Sequence, residues 1–338
     1  MSLEKQLLSF RIKSYHPHMT RGFILFSICL IIFSSSPTYA ADFNSWLVNF
    51  RDEAARAGIS QKTINEALFD IEPVQRAIEL DKKQPEKKMT FQQYRRNVIN
   101  EQRIQKGRQL IRTHARTLKA IEQAYGVQPQ YIIALWGIES NFGANTGGFK
   151  VIPSLATLAW EGRRAEFFKK ELINALKIID QGHISAANMR GSWAGAMGQN
   201  QFMPSSFLAY AVDGDGDGRR DIWTNEIDVF ASTANYLKTV GWTSGLRWGR
   251  QVKLPRAFPE NLIGPKIRKP LSEWIRMGVK NPDGTSLPSD NIMASIVAPD
   301  GIGGPAYIVY ANYQTIMDWN RSTYFATSVG LLADAIAR

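Results

Sequence analysis

The chain has 338 residues, 44% of them apolar and 21% charged, with a formal net charge of +11. That composition excludes a disordered or collagen-like chain and suffices for about two domains, or one large core with elaborations. The positive excess calls for an anionic partner without naming one.

Residues 23–33 (FILFSICLIIF) form an apolar run that follows a basic, acid-poor stretch and precedes SSSPTYA-AD. This is the order of a secretory signal peptide, with cleavage expected after Ala40 and Met19 a candidate start beside Met1. The run is far shorter than the roughly 20 residues of a spanning helix, which argues against the alternative, an uncleaved anchor. Loss of residues 1–40 leaves 37 basic and 29 acidic residues, a net charge of +8, and removes the sole cysteine, Cys29. Disulfides, thiolate nucleophiles and Cys-ligated zinc are then excluded. Export favours a cell-surface polymer over nucleic acid as the anionic partner.

Residues 41–115 read as a helical N-terminal region. Trp46, Phe50, Ala54 and Ala57 recur at helical spacing, and Ser60 is an N-cap candidate ahead of Ile64 and Leu68. Phe91, Tyr94, Val98, Leu110, Ile111, Leu118 and Ile121 continue an apolar stripe, closed by Gly126, with Pro129 opening the next helix. Residues 131–138 (YIIALWGI) are apolar on every side, which predicts a buried helix. One further helix is expected over 155–180 and another from about 231 to 240. Residues 116–240 would be the core region. Many Pro and Gly, two Pro-Asp-Gly turns and candidate strands at 250–254, 291–297 and 306–310 mark 241–312 as a small β-containing insertion. Residues 313–338 return to helix and are expected to pack on the core.

Chemistry is approached by elimination. The chain lacks H-E-x-x-H, G-x-S-x-G, a Walker loop and G-x-G-x-x-G, and beyond residue 40 its only histidines are His114 and His183, both expected at the surface. Carboxylates remain. Glu139 directly follows the apolar helix, where burial and the negative helix end would both raise its pKa toward that of a general acid. The competing reading is a helix-end residue facing water or paired with an arginine. Residues 191–206 (GSWAGAMGQNQFMPSS) mix close-approach glycines with Ser192, Gln199, Asn200 and Gln201 and with the apolar faces of Trp193, Met197 and Phe202. Aromatic faces beside neutral polar groups suit a sugar, although tight helix packing uses the same small residues. Residues 213–221 (DGDGDGRRD) match the first half of a Ca²⁺ loop. Asp213, Asp215 and Asp217 hold positions 1, 3 and 5, Gly218 the turn, and the Arg219 carbonyl position 7. Thr224 stands where a bidentate Glu is expected, so Glu226 or Asp228 would close the loop. The alternative is a solvated acidic turn.

GIESNFG at 137–143, GSWAGAMGQNQFMPSSF at 191–207 and YAVDGDGDGRRDIW at 210–223 together resemble the lytic murein transglycosylase B family. LATLAWEGRRAEFF at 155–168, ASTANYLKTVGW at 231–242 and DWNRSTYFATSVGLLAD at 318–334 extend the resemblance. It implies a mainly α, lysozyme-like fold with a small β-containing subdomain, located in the periplasm. It implies cleavage of the β-1,4 bond between N-acetylmuramic acid and N-acetylglucosamine of peptidoglycan, without water, to leave 1,6-anhydro-muramoyl ends. Glu139 matches the single catalytic glutamate, acid then base. Ser192, Gln201, Asn235, Tyr236 and Asn320 would line the glycan groove. Arg163 and Arg164 would lie near stem peptide or glycan. Trp319 and Phe325 fall where some members have tyrosines; Trp319 could still stack on sugar. The acidic loop resembles the family's structural calcium site, with Asp228 as its closing carboxylate over 213–228. No organic cofactor is implied. A hydrolysing muramidase and an inactive peptidoglycan-binding protein remain the alternative functions.

Overall fold

The structure, a computed structural model, describes residues 37–83, 89–161 and 163–338. The expected leader lies outside the described residues as far as residue 36. Among the described residues no helix is long and apolar enough to cross a membrane.

The N-terminal region forms α1 (Pro37–Arg56), α2 (Gln61–Leu68), α3 (Gln75–Lys82), α4 (Phe91–Val98) and α5 (Glu101–Thr113). Ser60 caps α2 by accepting from the Thr63 N–H, as expected. On α1 the buried stripe is Phe43, Leu47, Phe50 and Ala54, whereas Ala57 is exposed just past the helix end. The apolar stripe before Pro129 is broken into α4, α5 and α6 (Ala115–Tyr125), because Asn100 starts a helix of its own and His114 leaves helical geometry. Gly126 stops α6 in the left-handed conformation, and Pro129 opens α7 (Pro129–Ser140). Every residue of α7 from 131 to 137 is buried. It packs against α5, α6, α11 (Glu226–Thr239) and α14 (Thr323–Ile336).

Two helix expectations need correction. The single helix over 155–180 is two, α8 (Val151–Glu161) and α9 (Ala165–Asp180), packed on each other. Their turn is held from outside: buried Asp81 accepts from Arg163 Nε at 2.7 Å and from Arg164 Nη2 at 2.6 Å. The helix expected from 231 instead starts at Glu226, because the Asn225 side chain accepts the Ile227 N–H and caps it there. The remaining short elements of the helical body are β1 (Phe149–Lys150), its antiparallel partner β2 (Arg190–Gly191) and α10 (Pro204–Tyr210).

Residues 249–309 carry β3 (Gly249–Val252), β4 (Lys269–Pro270), α12 (Leu271–Arg276), β5 (Met293–Val297) and β6 (Ala306–Val309). The antiparallel sheet runs in the order β3-β6-β5-β4. Its period-two alternation serves two cores. Ala306 and Ile308 join Trp274, Phe258 and Leu271 in a small core. Tyr307 and Val309 face the other way, into the main helical core. The central strand β6 is thus buried on both faces. α13 (Ala311–Trp319) and α14 then return to the helical body.

Trp248, fully buried, joins the β-containing region to the helices. Its backbone N–H donates to the Tyr131 hydroxyl at 3.0 Å, and its indole lies on Gly330 of α14. A Cβ at Gly330 would sit 2.1 Å from the indole. The variant Gly330→Ala is therefore expected to cost about 2–3 kcal/mol through overpacking, read as a lower urea midpoint with unchanged slope.

Candidate active site

Glu139 is the next-to-last residue of α7. The chain leaves this helix through two non-glycine residues at positive φ, Asn141 at 52° and Phe142 at 58°. That conformation is strained for a side chain and is paid for by surrounding contacts. The Ser140 hydroxyl accepts the Gly143 N–H, the Phe142 N–H reaches the Trp136 carbonyl, and Arg103 Nη2 donates to Asn141 Oδ1 at 3.2 Å. Gln201, at φ 52°, is held similarly, its Nε2 donating to the carbonyls of Thr146 and Gly198 at 3.0 Å each. Three of the four non-glycine residues with positive φ among the described residues thus lie in these two segments.

Burial pushes the Glu139 carboxyl up to about 7, opposed only by a hydrogen bond from Trp319, whose Nε1–H donates to Oε1 at 2.7 Å. The negative end of α7 acts in the same direction as burial. Trp319 closes α13 and is itself gripped by rings: Tyr236 of α11 at 4.7 Å and Phe202 at 5.1 Å between centroids. Tyr236 in turn meets Tyr210 at 4.4 Å. These four rings form a continuous aromatic wall ending at the carboxyl. Burial raises the Tyr236 phenol to about 12, so it stays neutral and can donate.

The other expected site residues fall as follows. Ser192 is half-buried beside the β1–β2 contact, its hydroxyl accepting the Ala196 N–H. Asn235 donates to the Tyr210 carbonyl at 2.9 Å, behind the aromatic wall. Asn320 is exposed next to Trp319, its side-chain oxygen accepting the Ser322 N–H. Arg163 and Arg164 stand at the far end of α8 from β1, both engaged by Asp81. Phe325 is buried in the main core.

Some residues taken from the sequence as neutral sugar contacts serve inside the protein. Gln199 Oε1 accepts from Trp136 Nε1 at 2.8 Å while its Nε2 donates to the Trp223 carbonyl at 2.9 Å. Asn200 is buried and donates to Val229 O and Thr233 Oγ1. Two site residues went unrecognised in the sequence. Tyr94 of α4 lies close enough to Glu139 for the carboxylate charge to help raise its phenol pKa. Arg103 of α5 braces Asn141 and, through Nη1, the Val98 carbonyl. Tyr94 falls within an apolar stripe of the sequence, where only its hydroxyl sets it apart. The histidines are not simple surface groups either. His114 packs edge-on against Phe230 and lies 3.3 Å from Glu226, and His183 Nδ1 accepts the Arg220 N–H.

The acidic loop precedes α11. One oxygen from each of Asp213, Asp215 and Asp217 lies within 4.8 Å of the others, in an exposed cluster. Gly218 makes the sharp turn at φ 89°. Backbone N–H groups of Gly218, Gly216 and Asp217 all donate to Asp213 and hold its carboxyl below the usual range. Asp228 is fully buried against the same loop: Oδ1 accepts from Gly214 N at 2.7 Å and Oδ2 from Asp221 N at 2.6 Å. Burial, then repulsion from Asp215 and Asp213, raises its pKa. Glu226 instead faces His114. Clustered hard oxygen donors with mutual repulsion fit a calcium-sized cation.

Residues 42–334 match the family model described as Transglycosylase SLT domain. The chain is 33% identical over 253 residues to the membrane-bound lytic murein transglycosylase B of Escherichia coli (strain K12), a match covering 72% of this chain and 66% of that protein, just under two thirds of its length. The structure is similar to SltB3 from Pseudomonas aeruginosa in complex with NAG-anhNAM-pentapeptide, with a TM-score of 0.85 and 44% identity over 87% of this chain and 79% of that one. It is also similar to the Escherichia coli lytic transglycosylase Slt35 in complex with calcium, with a TM-score of 0.74 and 29% identity over 88% of this chain and 93% of that one.

The raised pKa has a stability consequence. Below the ordinary carboxylate pKa, Glu139 is neutral in both folded and unfolded chains. As pH rises toward 7 the unfolded chain ionises first, so stability is lost across that window and levels off above it. The variant Glu139→Gln is expected to gain about 1–3 kcal/mol over the parent at pH 8 and almost nothing at pH 4, measured by urea titration at each pH.

Proposed function

Because this chain belongs to the lytic murein transglycosylase B family of SLT-domain proteins, we propose that it cleaves the β-1,4 bond between N-acetylmuramic acid and N-acetylglucosamine in peptidoglycan and leaves 1,6-anhydro-muramoyl ends. The observation that carries this reading is Glu139, half-buried at the end of an apolar helix, where desolvation pushes its carboxyl up to about 7. Near neutral pH such a group is available in both forms. As the acid it protonates the leaving glycosidic oxygen. As the carboxylate it takes the proton of the muramoyl 6-hydroxyl, whose oxygen closes on C1. A hydrolysing glycosidase commonly needs a second carboxylate for its nucleophile or its water. Among the described residues no second carboxylate perturbs the ionisation of Glu139. A nucleophile supplied by the sugar makes one unnecessary.

The aromatic wall of Phe202, Tyr236 and Trp319 offers stacking faces, with Ser192, Gln201, Asn235 and Asn320 as polar edges of a glycan groove. The engagement of Arg163 and Arg164 with Asp81 favours a structural role for them over glycan contact. Site of action in the periplasm is supported by the leader pattern of residues 1–40 and by the membrane-bound relative. For calcium, Asp213, Asp215, Asp217, the Arg219 carbonyl and Asp228 are the proposed ligands. The ion would neutralise the loop and fix the start of α11; the calcium-bound Slt35 relative supports this.

Purified peptidoglycan incubated with the protein should release muropeptides lighter by one water than hydrolysis products, seen by mass spectrometry, with none from Glu139→Gln. Reducing-end muropeptides would instead identify a muramidase, and binding without release an inactive wall protein. Calcium at tenfold its Kd should stabilise the fold by about 1.4 kcal/mol relative to chelator, and Asp213→Ala should abolish that difference in melting experiments.

A further inference from the structure

We infer that Trp319 is a positioning residue that assigns the catalytic proton of Glu139 to one oxygen, Oε2. The inference rests on the transglycosylase reading only for its consequence in turnover, since the hydrogen bond itself is independent of substrate. Trp319 Nε1–H donates to Glu139 Oε1 at 2.7 Å. An indole nitrogen has a proton to give and no lone pair to receive one. A protonated Oε1 would keep a lone pair for the indole but accept less strongly than a carbonyl oxygen. The neutral acid keeps its strongest bond to the indole with Oε1 as its carbonyl oxygen and the proton on Oε2. A tyrosine at this position, able to donate or accept, would permit either arrangement.

The indole cannot easily turn away to relax this restriction. Tyr236 packs on it at 60° and Phe202 at 49°, both in ring contact. Other groups around the carboxyl leave the restriction intact. Tyr94 on α4 is a neutral phenol, its pKa raised by its own burial. Arg103 on α5 directs Nη1 to Val98 O and Nη2 to Asn141 Oδ1. Tyr236 on α11 is also neutral, and the charges of Asp318 and Arg321 act on it from the end of α13.

In turnover the same oxygen then performs both halves of the cycle. Oε2–H is given to the glycosidic oxygen as the bond from that oxygen to C1 breaks. The 6-oxygen bonds to C1 and gives its own proton to Oε2. One proton leaves on the departing sugar hydroxyl and another replaces it from the 6-hydroxyl, and Oε1 remains on the indole throughout. The bond strengthens when the carboxyl becomes a carboxylate, so it also favours the base form.

The test uses the intact protein and three variants. With ¹⁵N-labelled tryptophan, the Trp319 indole signal, assigned among nine tryptophans by its loss in Trp319→Phe, should titrate with a midpoint near 7. That titration should vanish in Glu139→Gln. In Trp319→Phe the Glu139 carboxyl, followed by ¹³C, should titrate at higher pH than in the parent. On peptidoglycan, Trp319→Phe should lower kcat by about tenfold, with little change in KM and with the basic limb of the kcat profile moved upward. Trp319→Tyr, which restores a donor, should recover part of the loss. A pH-independent indole signal, or an unmoved Glu139 titration in Trp319→Phe, overturns the inference even if the enzyme is active. A titrating indole in a protein that releases no anhydro-muropeptides leaves the hydrogen bond assigned and sinks the reading of turnover instead.

Discussion

A carboxylic acid at the end of a helix that is apolar on every side sets the terms for this molecule. α7 cannot face water, so four helices, α5, α6, α11 and α14, are assembled to cover it, drawn from both ends of the chain. That enclosure dehydrates Glu139 and moves its ionisation into the neutral range. The same enclosure demands unusual backbone where the chain escapes at Asn141 and Phe142. Chemistry and strain therefore arise from one packing decision.

The enclosure also ties the acidic loop to the site. Gln199 is bonded on one side to Trp136 within α7 and on the other to the carbonyl of Trp223, two residues beyond Asp221. Asp221 N donates to Asp228, which is rooted in α11, the helix that carries Tyr236 and Asn235. A short chain of hydrogen bonds, one buried and the others half-buried, thus runs from the loop to the helix that bears the acid. Such a path fixes geometry at low entropy cost once formed, because each partner is already held by its own secondary structure.

Much of this was legible in the sequence because it is local. Ser60, Gly126 and Pro129 announce helix ends by short-range chemistry, and the uninterrupted apolar run of 131–138 announces burial. The three main strands of the insertion were visible from alternation and turns. What escaped was set by partners distant in the chain. The break between α8 and α9 depends on Asp81, more than eighty residues away from Arg163 and Arg164. Gln199 looks like a sugar contact until Trp136 is seen to occupy it. Trp319 looks like a stacking platform until its N–H is found on Glu139. In each case the residue type was informative, and the identity of its partner was not.

The helix that brings Tyr94 to the site does not own its beginning. Besides the local cap from Thr90, its first N–H groups, those of Phe91 and Gln92, donate to the carboxylate of Asp300, 209 and 208 residues further along the chain, at a turn of the β-containing region. Phe91 also sits edge-on to Tyr307 of β6 and to Tyr324. The helix that carries Tyr94 is therefore a tenant of the β-containing region. Loss of that turn would leave two first-turn N–H groups without their partner while Phe91 stays anchored in the main core. The β-containing region then works as a clasp on the first turn of the helix that brings Tyr94 near Glu139.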